Sequence, residues 1–176
     1  MNIVSSYLPG IIRNFKTYKA LGDKTMAQLS DSEINISPQV ESNSMALLVK
    51  HMHGNMLSRW TDFLTSDGEK PNRHRDTEFE GDLKDKEAMI RLWEEGWSCM
   101  FATLESLKES DLEKTIYIRS EAHTVMEAIN RQMMHYAYHV GQMVYLGKLI
   151  RGGSFKSLSI PKGKSEEFNK GLMKKS

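Results

Sequence analysis

The chain has 176 residues, enough for one domain with its own core. Hydrophobic residues make up 39% and charged residues 27%, the balance of a folded globular protein and not of a disordered one. Lys and Arg number 24 against 23 Asp and Glu, so the basic excess of a general nucleic-acid binder is absent.

Cys99 is the only cysteine, which rules out a disulfide within the chain. The stretch from Met1 to Pro9 lacks the charged start and apolar run of a signal peptide. No segment approaches the roughly 20 apolar residues of a membrane span. The expectation is a cytoplasmic protein with neither nucleic acid nor membrane as partner. The many methionines sit at helical core spacing and are expected to act as adaptable filler.

Four amphipathic helices are predicted from the apolar period. The first covers roughly 2–29, with Tyr7, Ile11, Phe15, Tyr18, Met26 and Leu29 on one face and Pro9 tolerated near its start. Ser30 and Glu33 have the spacing of a capping box. A loop then leads to the second helix, roughly 44–65, with Ser44 as N-cap and an apolar face from Met45 to Phe63. The polar run from Gly68 to Gly81 is a loop long enough to carry function. The third helix, roughly 82–107, turns Ile90, Trp93, Trp97, Met100, Phe101, Leu104 and Leu107 one way. The two tryptophans are expected in the core. Residues 115–120 alternate like a strand and suit a small hairpin. Thr124 and Glu127 form a capping box opening a fourth helix that Gly152 and Gly153 stop. The expected fold is all-α, a four-helix bundle with long connections. Residues 1–152 would form the bundle and 153–176 an extended tail. The period leaves the connection order open.

The fourth helix carries the most informative pattern. His135 and His139 are four apart and project from one face. They belong to a polar stripe, Gln132, His135, His139 and Gln142, along one margin of the apolar face centred on Ile129, Tyr136 and Val140. Polar groups at bundle depth need partners, which a metal with bound solvent or a hydrogen-bond network would supply. A third metal ligand would come from another helix. His51 and His53 lie about 200° apart on the second helix, so both cannot reach one ion. His53 is nearer the apolar centre. His51 shares a margin with Ser44, Asn55, Ser58 and Asp62, and two facing polar margins would make a site. His74 and His123 are expected to be solvated. Periodicity alone leaves His51 and His53 both open.

The segments Lys50-His51-Met-His-Gly54-Asn55-Met56 and His135-Tyr-Ala-Tyr-His139-Val-Gly141-Gln142 resemble those of the DinB-like superfamily of metal-binding four-helix bundles, and the resemblance covers roughly residues 5–152. It implies a divalent metal held by His51, His135 and His139, and position 53 is not a ligand position in that pattern. Gln142 matches a glutamine often found after the histidine pair. Zinc is preferred on chemistry, because three neutral imidazoles leave it an open position. Nickel, iron and manganese also suit histidine ligands.

Characterised members of the superfamily include transferases and isomerases that use thiols such as bacillithiol or mycothiol. The resemblance therefore implies an S-transferase in which the metal activates a low-molecular-weight thiol, with a small-molecule thiol or electrophile as partner. Asn55 and Gln142 would bind the cofactor near the open position or tie helices together. Arg59, Arg73 and Arg75 would meet thiol carboxylates if they line the mouth, and are otherwise solvated charge. The resemblance also implies a homodimer. The alternatives are a non-catalytic metal-binding bundle for a stress-related ligand or partner, and a metal-dependent hydrolase. The hydrolase lacks an obvious general base, since Asp62 is nearly three turns from His51.

Overall fold

The computed structural model describes residues 7–173. Four long helices carry the fold: α1 (Tyr7–Met26), α2 (Met45–Trp60), α3 (Lys86–Ser106) and α4 (Val125–Arg151). A two-stranded antiparallel hairpin, β1 (Thr115–Ile118) and β2 (Glu121–Thr124), precedes α4. This is the all-α bundle with a hairpin before its last helix that the apolar period and the alternation of residues 115–120 imply. The beginning of the first predicted helix, residues 2–6, lies outside the described residues.

The helix ends follow local chemistry. Ser44 caps α2 by accepting from Leu47 N, and Asp85 caps α3 by accepting from Ala88 N. Thr124 and Glu127 form the expected reciprocal box at the start of α4. Ser30 and Glu33 also pair as expected, closing a turn after α1. The predicted second helix is too long at its C-terminal end, because the chain leaves α2 at Thr61 and Asp62 adopts a positive φ of 48°. Residues 165–173 form a short helix, α5 (Ser165–Met173), where an extended tail is expected. No helix among the described residues is long and apolar enough to cross a membrane.

The packing settles the connection order. α2 lies against α3 and α4, and α1 lies against the same two helices, so the order around the bundle is α1–α3–α2–α4. Each helix sends one aromatic ring to the centre: Phe15, Trp60, Trp97 and Tyr136, all at most 1% exposed. Phe15 sits 6.1–6.4 Å from the other three ring centroids, mostly edge-on. Trp93 and Trp97 are core residues, and Trp93 comes so close to α1 that a methyl group at Gly22 would overlap its ring. The neighbours α2 and α4 bring the two polar margins together.

Candidate metal centre

Each of the three histidines is delivered by a helix face that the core fixes. His51 lies one residue before the fully buried Met52 on α2, and His135 one residue before the fully buried Tyr136 on α4. His139 follows His135 by four residues, on the same side of α4. The Nε2 atom of His135 is 3.3 Å from Nε2 of His51 and 3.0 Å from Nε2 of His139. His51 and His139 are 4% and 8% exposed. The three residues could hold a metal ion, with donor atoms all within 4.8 Å of one another.

The outward nitrogens of two rings are already committed. His51 Nδ1 donates to Glu78 Oε2 at 2.9 Å, and His139 Nδ1 donates to Gln142 Oε1 at 2.8 Å. These bonds place the ring protons on Nδ1 and turn the Nε2 lone pairs of both rings inward. A neutral His135 has one proton at most to offer on Nε2, so it can satisfy one of them and not both. A cation satisfies all three nitrogens. The two separations from His135, 3.3 and 3.0 Å, also fit, since metal–nitrogen bonds of about 2.0–2.1 Å in a tetrahedral arrangement separate ligand nitrogens by about 3.3 Å.

The electrostatics favour the ligating form of the imidazoles. Burial first, then the neighbouring imidazoles His139 and His51, push the His135 pKa down to about 3. Burial also lowers that of His139, to about 4, against the opposing effect of the hydrogen bond it donates to Gln142 Oε1. Both rings are neutral at neutral pH, as ligands must be.

Glu78 is the member of the site that sequence reasoning missed. It lies on a 3-10 turn, Asp76–Phe79, within the Gly68–Gly81 loop. Arg73 grips its carboxylate twice, Nε to Oε1 at 2.8 Å and Nη2 to Oε2 at 2.9 Å. Burial opposes ionisation of Glu78, but the hydrogen bonds of His51 and Arg73 and the arginine charge outweigh it and lower the pKa. Glu78 is therefore an anion on the far side of a candidate ligand ring, an arrangement that orients histidines and raises their basicity where they bind a metal. Gly54, one turn after His51, makes room for it, because a methyl group there would overlap the Glu78 carboxylate. Phe79 stacks on His51, with centroids 4.7 Å apart and planes at 28°. The loop length hinted at function, but no spacing marked this carboxylate.

The three histidines line a cavity of about 470 Å³. Asn55 and Gln142, the expected cofactor-binding pair, line it too. Their oxygens are occupied, Asn55 Oδ1 by the Tyr136 hydroxyl at 3.0 Å and Gln142 Oε1 by His139. Five arginines, Arg59, Arg73, Arg75, Arg119 and Arg131, complete a cationic wall, and among the described residues no Asp or Glu lines the cavity. Arg59 and Arg73 are not solvated surface charges. Their side chains are 6% and 4% exposed, and Glu69 reaches Arg59 at 2.9 Å and Arg73 at 3.4 Å. Arg119 is placed by the hairpin turn, where Arg119 and Ser120 both take positive φ. The Asp67 carboxylate accepts from both of their backbone N–H groups, at 2.8 and 2.7 Å.

The remaining histidines stay outside. His53 pairs with Glu95 on α3 at 3.1 Å, and His74 is exposed. His123 is packed instead of solvated, with 16% of its side chain exposed.

A crystal structure titled as a conserved protein from Enterococcus faecalis is 17% identical, with a TM-score of 0.61 over 86% of this chain and 99% of that one. That likeness bears on the fold alone. No curated protein matches the chain significantly. The family described as "Protein of unknown function (DUF1572)" matches residues 2–164, and the chain belongs to it; this family has the DinB-like fold.

Proposed function

We propose that this DUF1572 chain is a metal-dependent S-transferase for a low-molecular-weight thiol, related to the bacillithiol- and mycothiol-using transferases of the DinB-like superfamily. The observation that carries the reading is the convergence of three Nε2 atoms in an arginine-lined cavity that has no carboxylate among the described residues lining it. A divalent cation there, zinc by preference, would hold a thiol as its thiolate. His51, His135 and His139 are the proposed ligands. Glu78 and Gln142 hold two of the rings by their Nδ1 protons.

Bacillithiol and glutathione carry carboxylates, the groups an arginine wall would hold. Arg59, Arg73 and Arg119 share Glu69 and Glu78, and Arg131 meets Glu121, so five arginines face three carboxylates and positive charge is left on the wall for an anionic ligand. Asn55 and Gln142 use their oxygens internally, so their amide N–H groups are the donors they would present to a bound molecule. In the transfer, the sulfur forms a bond to the electrophilic carbon as the leaving group departs with its electron pair. The thiol proton passes to solvent.

The lining also weighs against a hydrolase that relies on a general base. Glu78 is a loop carboxylate in direct contact with the centre, and it is bound to Arg73 and to the outer nitrogen of His51.

The test is conjugation of bacillithiol, mycothiol and glutathione to a panel of electrophiles, with metal-loaded and metal-stripped protein. Conjugation and thiol binding that both require the metal support the transferase. Thiol binding unaffected by metal removal, with no conjugate formed, rejects it and leaves a non-catalytic metal-binding bundle.

A further inference from the structure

A second cavity, of about 460 Å³, adjoins the metal centre and differs from it in chemistry. It lies between the connection that precedes α2 and the outer side of α4. Pro38, Leu48, Tyr145, Leu146 and Leu149 give it an apolar lining. Glu41 is the one charged residue among those that line it, in contrast to the five arginines next door. Asn43 and Gln142 line both cavities, so the two meet across a shared wall. Gln142 is also the residue that holds His139. Tyr145 and Leu149 are 70% and 54% exposed, an apolar surface facing solvent one to two turns along α4 from Gln142.

We infer that this cleft binds the apolar part of the second substrate, whose reactive end reaches the three-histidine centre past Asn43 and Gln142. The substrate class is an electrophile with an uncharged apolar chain or ring on one side of its reactive carbon. An anionic body would be disfavoured beside Glu41 and would find its counter-charges only in the arginine cavity. The inference rests on the thiol-transferase reading, in which the anionic thiol occupies the arginine side. It adds the division of labour between the two cavities.

The experiment measures binding, not turnover. Protein loaded with Co(II) is titrated with 2-mercaptoethanol and with 6-mercaptohexan-1-ol, uncharged probes whose alkyl chain, anchored at the metal by sulfur, stands in for the apolar part of the electrophile, and the thiolate-to-cobalt charge-transfer band reports occupancy. The longer probe adds four methylenes, each worth about fourfold in affinity when fully buried. In this open cleft the expected gain is at least about tenfold. Leu149→Glu and Tyr145→Ser alter exposed positions and spare the core; each should abolish most of that gain and leave 2-mercaptoethanol binding unchanged.

If 2-mercaptoethanol produces the band but the long probe gains less than about threefold, or if both variants keep the gain, the cleft assignment is wrong and the metal–thiol reading stands. If neither thiol produces the band, the thiol reading fails and the inference falls with it. Light scattering on the wild type and Leu149→Glu supplies the last arm. A dimer that the substitution dissociates would mean that a second copy of the chain covers the cleft, which also overturns the proposal.

Discussion

Glu78 and His51 are 27 positions apart in sequence, yet Oε2 of the first accepts from Nδ1 of the second at 2.9 Å. Arg73 holds the same carboxylate by two nitrogens, so the His51 ring is set by a charged pair that comes from a loop. Glu78→Gln should keep the fold and lower metal affinity by about 10- to 100-fold. It should also cost stability, because Arg73 would lose one of its two acceptors at position 78 and keep as ion pair only the longer contact to Glu69. Calorimetric titration of the stripped protein with zinc checks this. Unchanged affinity would show that Glu78 does not set the ring.

Gly54→Ala separates site geometry from helix propensity. Alanine is the better helix former by about 1 kcal/mol, so a purely local effect would stabilise α2. The added methyl group meets the Glu78 carboxylate, whose Cδ would be 2.8 Å away. The expected outcome is weaker zinc binding, close to that of Glu78→Gln, with no gain in thermal midpoint. A stabilised protein with full affinity would contradict it.

Tyr136→Phe tests the link between the core and the site. The hydroxyl accepts from Trp60 Nε1 at 2.9 Å and donates to Asn55 Oδ1 at 3.0 Å, both in buried surroundings. Removing it leaves a donor and an acceptor without their partner, at a cost of about 2 kcal/mol in denaturant unfolding. Metal stoichiometry should not change, since no ligand is touched. A loss below about 0.5 kcal/mol would mean that solvent replaces the hydroxyl on both sides.

Metal-stripped protein should lose stability as the pH falls from 7 to 5. The folded pKa values of His135 and His139, about 3 and about 4, lie below the ordinary imidazole value of 6.5. Between those limits the unfolded chain binds more protons than the folded one, so stability rises with pH and is complete above about 6.5. Depressed carboxylates such as Glu78 contribute the same sign at lower pH, which makes the interval from 7 to 5 the diagnostic one. Unfolding midpoints measured across it should slope in the wild type and flatten in a His135→Gln/His139→Gln double variant. A flat wild-type profile would contradict the burial of neutral rings.

Local features of the fold could be read from the sequence because local forces fix them. The Thr124–Glu127 box, the Ser44 cap and the tryptophan face of α3 follow from residues within one or two turns. The His135–His139 pair is legible for the same reason. The order α1–α3–α2–α4 is not, because long connections permit several arrangements with equal burial of the stripes. Helical period left His51 and His53 both open. In the structure His53 turns to Glu95 on α3, while His51 faces α4. Glu78, Arg59 and Arg73 were out of reach of any period or spacing rule. Their burial depends on charge pairs with carboxylates of an irregular loop, Glu69 for Arg59 at the end of α2 and Glu78 for Arg73 within the loop, and an arginine reads as solvated until its carboxylate is located.

The measurement that bears most directly on the account is the metal content of purified protein after loading with zinc and dialysis, for the wild type and four single variants. One ion per chain is expected in the wild type and in His53→Ala, with the ion lost from His51→Ala, His135→Ala and His139→Ala. Full retention by His51→Ala, or loss from His53→Ala alone, would contradict the three-histidine centre.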